Sequence, residues 1–500
     1  MPVRDPNPAS RTITKQANLL VNTLSGVPMA RSRAFGVAHT AGRPLTGGHL
    51  MAESPQAPER WHLSELLVAP ERIVSHFFDR WNLRSGRMQL LIWAIGRLAV
   101  LLTWALINPE TQGDVVYYYE HIAYMFQVGP AATMTEYPTP VLWLLTLPWY
   151  LGFGTQTGYV VAFVLLMLAL DVAFTLSLWR WGGRLRSHAV TFWTLFVVFI
   201  GPTVYLRFDL VTSVLAGWSL LLLRRHWTAS GALAGVGAAI KLWPALLWPA
   251  LCGGSRPQRI RTSIGFWLTG GLLALISLVW AGWDRLISPL IWQSGRGLQV
   301  ESVWATIPML ARAVGIGDYA VTISRFQAFE IYGTGVPFWS TLATIATVIG
   351  MLMLIVVFAL WWRRGHGTTS QAALLMILVI LTMIVTNKTF SPQYMIWLGG
   401  PMAAAIALLG CRRPDTANYA LDRRRLWLIC LTILTITILT GIVFPLGYDP
   451  LVRDSYITRY WRLPVTIVLA LRNLLITALL GYVLRLVKGF VWTTAKERRA

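Results

Sequence analysis

The sequence predicts an all-α protein that crosses a membrane many times. Of its 500 residues, 55% are hydrophobic and 13% are charged, whereas a soluble domain carries about 25% charged residues. Apolar runs close to the length of about 20 residues that a membrane-spanning helix needs recur along the chain. Short basic clusters separate many of these runs. Together these features predict about ten full transmembrane helices, a re-entrant broken helix pair and a helical loop on the outer face.

The net charge of +22 does not indicate a nucleic-acid partner. The basic residues lie in short clusters between apolar runs, which is typical of cytoplasmic loops rather than of a nucleic-acid groove. Cys252, Cys411 and Cys430 are odd in number and lack metal-binding spacing, so we expect neither a disulfide framework nor a zinc site. No protein partner is implied. The lipid bilayer is the one partner that composition alone predicts.

The polar first part of the chain predicts no cleavable signal peptide, because it has no apolar h-region. Residues 1–60 are rich in Ser, Pro, Gly, Ala and Arg, and predict a disordered cytoplasmic tail. Residues 61–87 have apolar residues near helical spacing and predict an amphipathic helix on the inner membrane surface. The membrane domain is expected over 88–485, and 486–500 is expected to form a basic cytoplasmic tail.

The apolar runs predict the spans in order. They are 88–107, 158–179, 189–206, 208–223, 264–282, 337–361, 370–386, 392–410, 426–446 and 463–485. Basic clusters fix the direction of each span, because Lys and Arg accumulate in cytoplasmic loops. Alternating the spans places every cluster inside, both termini in the cytoplasm, and two large loops outside, 108–157 and 283–336.

Two apolar segments do not fit as ordinary spans. Residues 138–153 are short and flanked by prolines, and a crossing there would place Arg180 outside, so they predict a helix along the outer interface. Residues 231–251 have arginine clusters at both ends, and Lys241 and Pro244 interrupt the middle. This pattern predicts two re-entrant half-helices with Lys241 near the apex, a conformation tolerated only where protein or water surrounds it.

Two opposite charges fall inside predicted spans. Arg97 lies mid-way along the first span and Asp171 lies within the second. Each would cost about 2.5–3.5 kcal/mol at the bilayer centre on insertion scales. Both lie at a similar depth from the cytoplasmic ends, so they predict a structural ion pair between the two spans.

The outer side gathers acidic, cationic and aromatic residues. No Lys or Arg occurs from Leu98 to Trp179, a stretch that includes Asp114 and the following tyrosines. Lys241 and Lys388 are the lysines near the membrane or its outer edge, and an ammonium suits a phosphate as a point charge. A snorkelling lysine is the alternative. Carboxylates with aromatic rings suit sugars, so these residues predict one outer cavity for a sugar and a phosphate.

The layout resembles the GT-C superfamily, polytopic glycosyltransferases that use lipid-phosphate-linked sugars. The stretch "TEYPTPVLWLLTLPW" and the segment "GALAGVGAAIKLWPALLWPAL" resemble parts of the GPI mannosyltransferase I type, and the latter also resembles bacterial relatives. The stretches "RGLQVESV" and "NKTFSPQYMIWL" resemble glycosyltransferase family 87, the actinobacterial mannosyltransferases that use polyprenol-phosphate-mannose.

This resemblance implies that Asp114, just after the first span, is the catalytic base. Together with the polar residues of the outer side, it implies the following substrate-binding candidates: Tyr118, Glu120, His121, Glu136, Tyr137, Arg207, Asp209, Lys241, Arg296, Gln299, Glu301, Lys388, Gln393 and Tyr394. We expect no cofactor. A divalent metal stays open, because the acidic motif is a lone Gly-Asp without the second Asp of some branches.

The resemblance also implies the reaction. It is inverting transfer of mannose from a polyprenyl-phosphate donor to a phosphatidylinositol mannoside, lipomannan or other wall glycan, on the outer face of the plasma membrane. An arabinofuranosyltransferase that uses decaprenyl-phosphate-arabinose is the alternative within the same class. A transporter or lipid flippase would also explain intramembrane charges and broken helices, but it predicts an inverted internal repeat, and the sequence shows none.

Overall fold

The computed structural model describes residues 68–492. The predicted tail 1–60, the start of the predicted surface helix 61–87 and residues 493–500 of the predicted basic tail lie outside the described residues. The tail's first residues, from 486, belong to the last helix.

Within the described part of the chain, regular structure consists of α-helices, short 3₁₀ and π-helical segments and one β-hairpin. The helices of the first half are α1 (Val68–Arg80), α2 (Gly86–Leu102), α3 (Gly113–Val128), α4 (Val141–Leu151), α5 (Gln156–Trp181), α6 (Arg186–Ile200), α7 (Asp209–Leu222), α8 (Trp227–Ile240) and α9 (Trp248–Leu251). Those of the second half are α10 (Arg256–Ala281), α11 (Trp283–Ser294), α12 (Thr306–Ala313), α13 (Val336–Arg364), α14 (Thr369–Thr386), α15 (Ile396–Gly410), α16 (Tyr419–Gly441), α17 (Tyr448–Val452) and α18 (Tyr456–Val491). The hairpin pairs β1 (Ala320–Ile323) with β2 (Phe329–Tyr332).

Nine helical segments between residues 68 and 492 are long and apolar enough to cross a membrane, so the chain is a multi-pass membrane protein. They are Gly86–Ile107, Gln156–Trp181, Gly183–Val204, Arg256–Ala281, Val336–Arg364, Thr369–Thr386, Pro392–Gly410, Tyr419–Leu446 and Thr458–Val491. Each coincides with one of the ten predicted spans. The predicted all-α polytopic fold is confirmed.

The remaining predicted span, 208–223, is a shorter helix than expected. It corresponds to α7, whose 14 residues extend for about 21 Å, less than the hydrocarbon core of about 30 Å. Nearly every residue of α7 is buried, because α5, α8 and α15 surround it. A helix enclosed by protein has no need to match the thickness of the membrane, so its first residue, Asp209, can lie inside the bundle.

The segment 231–251 has the predicted broken form. Helix α8 ends at Ile240, Lys241 is extended with φ −150° and ψ 130°, and a short 3₁₀ turn, Trp243–Leu247, leads into α9. The start of α8 and the end of the segment lie close together, because Trp227 and Ala250 line one cavity of about 230 Å³. The chain therefore enters and leaves on the same side, with Lys241 at the turn.

Basic residues collect at one end of the bundle. Arg180, Arg224, Arg225, Arg412 and Arg413 line a single cavity there. Arg224 also lines the smaller cavity that Trp361, near the last turn of α13, helps to form. We call this end the arginine end and the opposite end the loop end.

Glycines let α8 and α10 approach each other closely. A Cβ atom at Gly231 would collide with the carbonyl oxygen of Thr262, and one at Gly265 would collide with that of Thr228. Small residues of this kind commonly line contacts between membrane helices. The re-entrant segment is therefore held against a full-length helix through backbone contact.

The predicted ion pair between Arg97 and Asp171 is confirmed. The Arg97 Nε and Nη2 atoms donate to the two Asp171 carboxylate oxygens, each over 2.8 Å, and the side chains are 3% and 0% exposed. Trp193 Nε1 and the Tyr205 hydroxyl also donate to Asp171, over 2.6 and 2.8 Å. A buried charge needs this degree of compensation, so the pair is part of the framework of the bundle.

Both long predicted loops, 108–157 and 283–336, are folded. The first contains α3 and α4, and the predicted helix over 138–153 is confirmed as α4. The second contains α11, α12 and the hairpin. The sequence did not predict the hairpin. Residues 298–300 add to the edge of this hairpin, since Val300 N donates to Phe329 O over 3.1 Å and Ile331 N donates to Leu298 O over 3.0 Å. The loop residues are therefore fixed in position.

Candidate functional site

Asp114 lies at the loop end, in the first turn of α3. The positive end of a helix dipole favours a carboxylate at this position. Its Oδ2 atom forms an ion pair with Nη1 of Arg207, and the two side chains are 36% and 16% exposed. Burial lowers the pKa of the Arg207 guanidinium to about 10, so it stays charged at neutral pH. The pair holds the Asp114 carboxylate beside a fixed cation while the carboxylate remains accessible.

Asp209 and Lys241 form a second ion pair near the first. The Lys241 Nζ atom donates to Asp209 Oδ1 over 2.6 Å, and the Trp397 Nε1 atom donates to the same oxygen over 2.5 Å. Asp209 is 2% exposed. The fold brings them together because Asp209 begins α7 and Lys241 follows the last residue of α8, which runs back along α7.

Aromatic rings enclose the Lys241 ammonium. The Nζ atom lies 5.2–5.8 Å from four ring centroids, those of Tyr137, Phe208, Tyr394 and Trp397. Each distance is within the range of cation–π attraction. An ammonium has three N–H donors, and Asp209 accepts one of them. Lys241 is therefore a preorganised cation with further hydrogen-bonding capacity.

The first loop contributes a hydrogen-bonded group beside these pairs. The Tyr117 hydroxyl donates to Glu136 Oε1 over 2.7 Å, and the His121 ring lies 3.8 Å from the Tyr117 ring. Burial, with a further contribution from Glu136, raises the pKa of the Tyr117 hydroxyl, so it remains a donor at neutral pH. Tyr118, 1% exposed, packs against other rings, and Glu120 is exposed.

Arg285 fixes the segment that carries Glu136 and Tyr137. Its guanidinium donates to the carbonyl oxygens of Thr133, Met134 and Tyr137 over 3.1, 3.0 and 2.7 Å. Arg285 could not be predicted from the sequence, because bonds to main-chain carbonyls leave no pattern in the side chains of the partner segment. Arg285 joins the two long loops and so positions one wall of the site.

A second polar group surrounds Lys388. The Gln299 Nε2 atom donates to Ser391 Oγ over 2.7 Å, and Gln299 N donates to Lys388 O over 3.1 Å. Glu330, which sequence reasoning missed because it lies in the unpredicted hairpin, accepts from Gly297 N over 3.0 Å. Burial lowers the pKa of the Lys388 ammonium, an effect that Glu330 opposes and Arg296 reinforces.

Two atoms of this second group are buried without a hydrogen-bond partner among the described residues. They are Arg296 Nε and Gln299 Oε1. A buried polar atom without a partner costs free energy, and a bound ligand can supply the missing hydrogen bond. Arg296 also acts electrostatically on Tyr137, which links this group to the aromatic enclosure of Lys241.

The structure places three further residues that the sequence predicted for the site in three different environments. They are Glu301, Tyr394 and Gln393. Glu301 is 0% exposed and accepts from Arg472 Nη1 over 2.7 Å, so it holds the second loop against α18 and does not face the site. Tyr394 stacks on Trp397 with ring centroids 4.2 Å apart. Gln393, in the same 3₁₀ turn, is partly exposed.

The geometry therefore combines an accessible carboxylate, several fixed cations and aromatic surfaces at one end of a membrane bundle. This arrangement suits the transfer of a sugar. Among residues 68–492, no group of three or more His, Cys, Asp or Glu side chains could hold a metal ion.

These features are those of a membrane glycosyltransferase. The family model of glycosyltransferase family 87 matches residues 135–386, about half of the chain, and the chain belongs to this family. The matched region contains Glu136, Arg207, Asp209 and Lys241, while Asp114 precedes it. No curated protein and no solved structure matches the chain.

Proposed function

We propose that the protein transfers mannose from a polyprenyl-phosphate donor to a lipid-linked or cell-envelope glycan, with inversion at the anomeric carbon. The observation that carries the proposal is the pair Asp114–Arg207 beside the pair Asp209–Lys241. One pair offers a carboxylate that an acceptor can reach. The other offers an enclosed cation suited to a phosphate.

Asp114 acts as the general base in this proposal. The acceptor hydroxyl oxygen attacks the anomeric carbon, its proton moves to Asp114, and the bond from that carbon to the phosphate oxygen breaks. The donor is a phosphate diester, and the leaving group is the polyprenyl phosphate, a monoester. Since phosphate is a stable leaving group, the protein mainly has to place the acceptor and stabilise the developing negative charge.

Arg207 links the two substrates. In the structure it binds Asp114, and a donor phosphate that also binds Arg207 would compete for its N–H groups. The phosphate would then release Asp114 toward the acceptor. This exchange predicts that the donor binds before the acceptor hydroxyl is activated, so that the base is free only when a sugar is available.

Lys241, Arg296 and Lys388 complete the proposed phosphate site. Their positive charge can neutralise the leaving phosphate without a metal, so we propose a metal-independent reaction. Full activity in the presence of EDTA supports this view. Loss of activity in EDTA, with recovery on addition of a divalent cation, contradicts it.

The loop end is proposed to face the outside of the plasma membrane, with both termini in the cytoplasm. The support is the collection of arginines at the opposite end, because positive residues accumulate on the cytoplasmic side. The polyprenyl chain of the donor would then lie in lipid beside the bundle. Attachment of a membrane-impermeant thiol reagent to an engineered cysteine at exposed Tyr124 in intact cells tests this orientation.

The donor sugar is tested directly. Membranes containing the protein are incubated with labelled polyprenyl-phosphate mannose and, separately, with decaprenyl-phosphate arabinose, and the products are analysed. Transfer of mannose supports the proposal. Transfer from the arabinose donor alone establishes the alternative, an arabinofuranosyltransferase.

A further inference from the structure

Nine arginines line a cavity at the arginine end. The cavity has a volume of about 1200 Å³. The arginines come from separate parts of the chain: Arg84, Arg180, Arg184, Arg186, Arg224, Arg225, Arg412, Arg413 and Arg423. Glu71 is the one carboxylate in the described lining. The positive-inside rule explains an arginine cluster in each loop, but it does not explain their convergence on one concave surface.

Most of this charge is not neutralised locally. Arg84 pairs with Asp79 over 3.2 Å, Arg412 pairs with Asp422 over 2.6 Å, and Arg423 pairs with Glu71. The other six have no carboxylate of residues 68–492 within 4.0 Å. They are Arg180, Arg184, Arg186, Arg224, Arg225 and Arg413. Several like charges around one cavity concentrate a positive potential there.

The wall of the cavity is well packed. The ring of His188, a lining residue, lies between Phe78 of α1 and Trp427 of α16, with centroid distances of 3.7 and 5.4 Å. Both carboxylate oxygens of Glu71 bind arginines of α16, which holds α1 against the bundle. The cavity is therefore a preformed feature of the fold rather than a gap between mobile loops.

We propose that this cavity binds an anion with two or more phosphate groups. The planar guanidinium of arginine matches phosphate oxygens in a bidentate geometry. Basic pockets between membrane helices on the cytoplasmic side bind the headgroups of cardiolipin and of phosphorylated inositol lipids by this chemistry. A lipid headgroup with two phosphates and a free diphosphate present the same groups to these arginines.

The N-terminal part of the chain does not supply the negative charge that would complement the arginines of the cavity. Residues 1–60 contain seven Lys or Arg residues and three Asp or Glu residues. This segment has the same sign of charge as the cavity, so an external anion complements the cavity better.

The cavity is separate from the proposed glycosyl transfer site. Helix α7 has Asp209 of that site at its first residue and Leu221 and Leu222 of the cavity at its other end. Twelve or thirteen residues of helix separate them by about 20 Å. The phosphate of the sugar donor cannot contact both places, so this second site does not rest on the proposed function.

The test uses the full-length protein in phosphatidylcholine nanodiscs. Binding of radiolabelled pyrophosphate gives one dissociation constant, and the rise in melting temperature with added cardiolipin gives a second measure. The double variant Arg224→Gln/Arg225→Gln removes two lining arginines. The double variant Arg256→Gln/Arg363→Gln is the matched control, because both residues are exposed arginines near the same end but outside the cavity.

We expect saturable binding of at least one probe, weakened about tenfold or more in the Arg224/Arg225 variant, since charge-assisted hydrogen bonds are worth at least a factor of this order. The control variant should bind within about twofold of the original protein, because two charges outside the cavity contribute little after screening by salt. Binding of cardiolipin alone identifies a lipid ligand, and binding of pyrophosphate identifies a free one. If neither probe binds saturably, or if both variants weaken binding equally, the proposal is wrong. Arg180→Gln/Arg413→Gln repeats the test should the first variant fail to fold.

Discussion

At the scale of residues, the two carboxylates of the site differ in what they can do. Asp209 is 2% exposed and its Oδ1 atom already accepts from Lys241 and Trp397. Asp114 has a side chain that is 36% exposed and shares an ion pair with an arginine that a phosphate can engage. Exposure therefore favours Asp114 over Asp209 for contact with an acceptor hydroxyl, which supports the proposal that Asp114 is the base and that Asp209 positions Lys241.

Replacement of the base should stop the chemistry without unfolding the protein. Asp114→Asn keeps the size of the side chain but removes the negative charge, so we expect turnover to fall by about 10²–10⁴-fold, the usual contribution of a general base. Product formation by the purified enzyme measures this effect. Glu110→Gln, an exposed carboxylate in the preceding 3₁₀ turn, is the control. Substantial turnover by Asp114→Asn moves the role of base to another carboxylate.

Removal of the enclosed cation should act on the donor. Lys241→Met should lower kcat/KM for the proposed polyprenyl-phosphate donor far more than it changes the dependence on acceptor, because the ammonium is proposed to bind the phosphate. Lys241→Arg should restore activity in part, since a planar guanidinium is larger than an ammonium.

A double variant separates the effect of Lys241→Met on donor binding from its effect on folding. Lys241→Met leaves Asp209 buried without its cation, which is destabilising. Lys241→Met/Asp209→Asn removes that charge, so it should regain thermal stability without regaining donor affinity. Unchanged donor kinetics in a stable Lys241→Met enzyme would assign Lys241 to structure alone.

At the scale of elements, the helices are joined by a few costly polar contacts and by close glycine contacts. The pair Arg97–Asp171 connects α2 and α5, and the pair Glu301–Arg472 connects the second loop to α18. These contacts are the points at which single substitutions should have the largest effect on stability.

Breaking the first of these pairs should destabilise the bundle. Arg97→Met or Asp171→Asn alone should cost about 3–5 kcal/mol, the usual effect of removing one partner of a buried ion pair. The double variant Arg97→Met/Asp171→Asn should recover much of this loss, because Asn keeps an acceptor for Trp193 and Tyr205. Thermal unfolding in detergent measures the three proteins. If the double variant is no more stable than the less stable single variant, the pair does not stabilise the fold.

Two glycines of the α8–α10 contact should not tolerate a methyl group. Gly231→Ala and Gly265→Ala introduce a Cβ against a main-chain carbonyl, so each should cost about 1–3 kcal/mol as an overpacking substitution. Gly271→Ala, in α10 like Gly265, is the control, because nothing lies within 4 Å of its added Cβ. It should be neutral or stabilising by about 1 kcal/mol from helix propensity. Equal melting temperatures for all three variants would show that the helices are not in close contact.

At the scale of the whole molecule, the sequence predicted the path of the chain better than the site. Long apolar runs and arginine clusters report on the membrane directly, so nine spans and the break at Lys241 could be predicted. The length of α7 could not, because a run of apolar residues does not show whether lipid or protein surrounds it. The hairpin could not be predicted either, because its short strands carry little periodicity.

The composition of the site was predictable only in part. Asp114, Arg207, Asp209 and Lys241 were expected to be near one another, and the structure brings them together in two adjacent pairs. Their pairing depends on the direction in which α8 returns along α7, which residue types do not specify. Glu301 was expected in the site because it is polar and near Gln299, but its partner Arg472 lies far along the chain.

The most direct test of the central claim is a single-turnover assay with the purified protein, labelled polyprenyl-phosphate mannose and a phosphatidylinositol mannoside acceptor. We predict an α-linked mannoside from the original protein, a rate about 10²–10⁴-fold lower from Asp114→Asn, and a reduced rate at low donor concentration from Lys241→Met. No mannoside from the original protein with this acceptor or with lipomannan, or equal rates from the original protein and Asp114→Asn, would contradict the account.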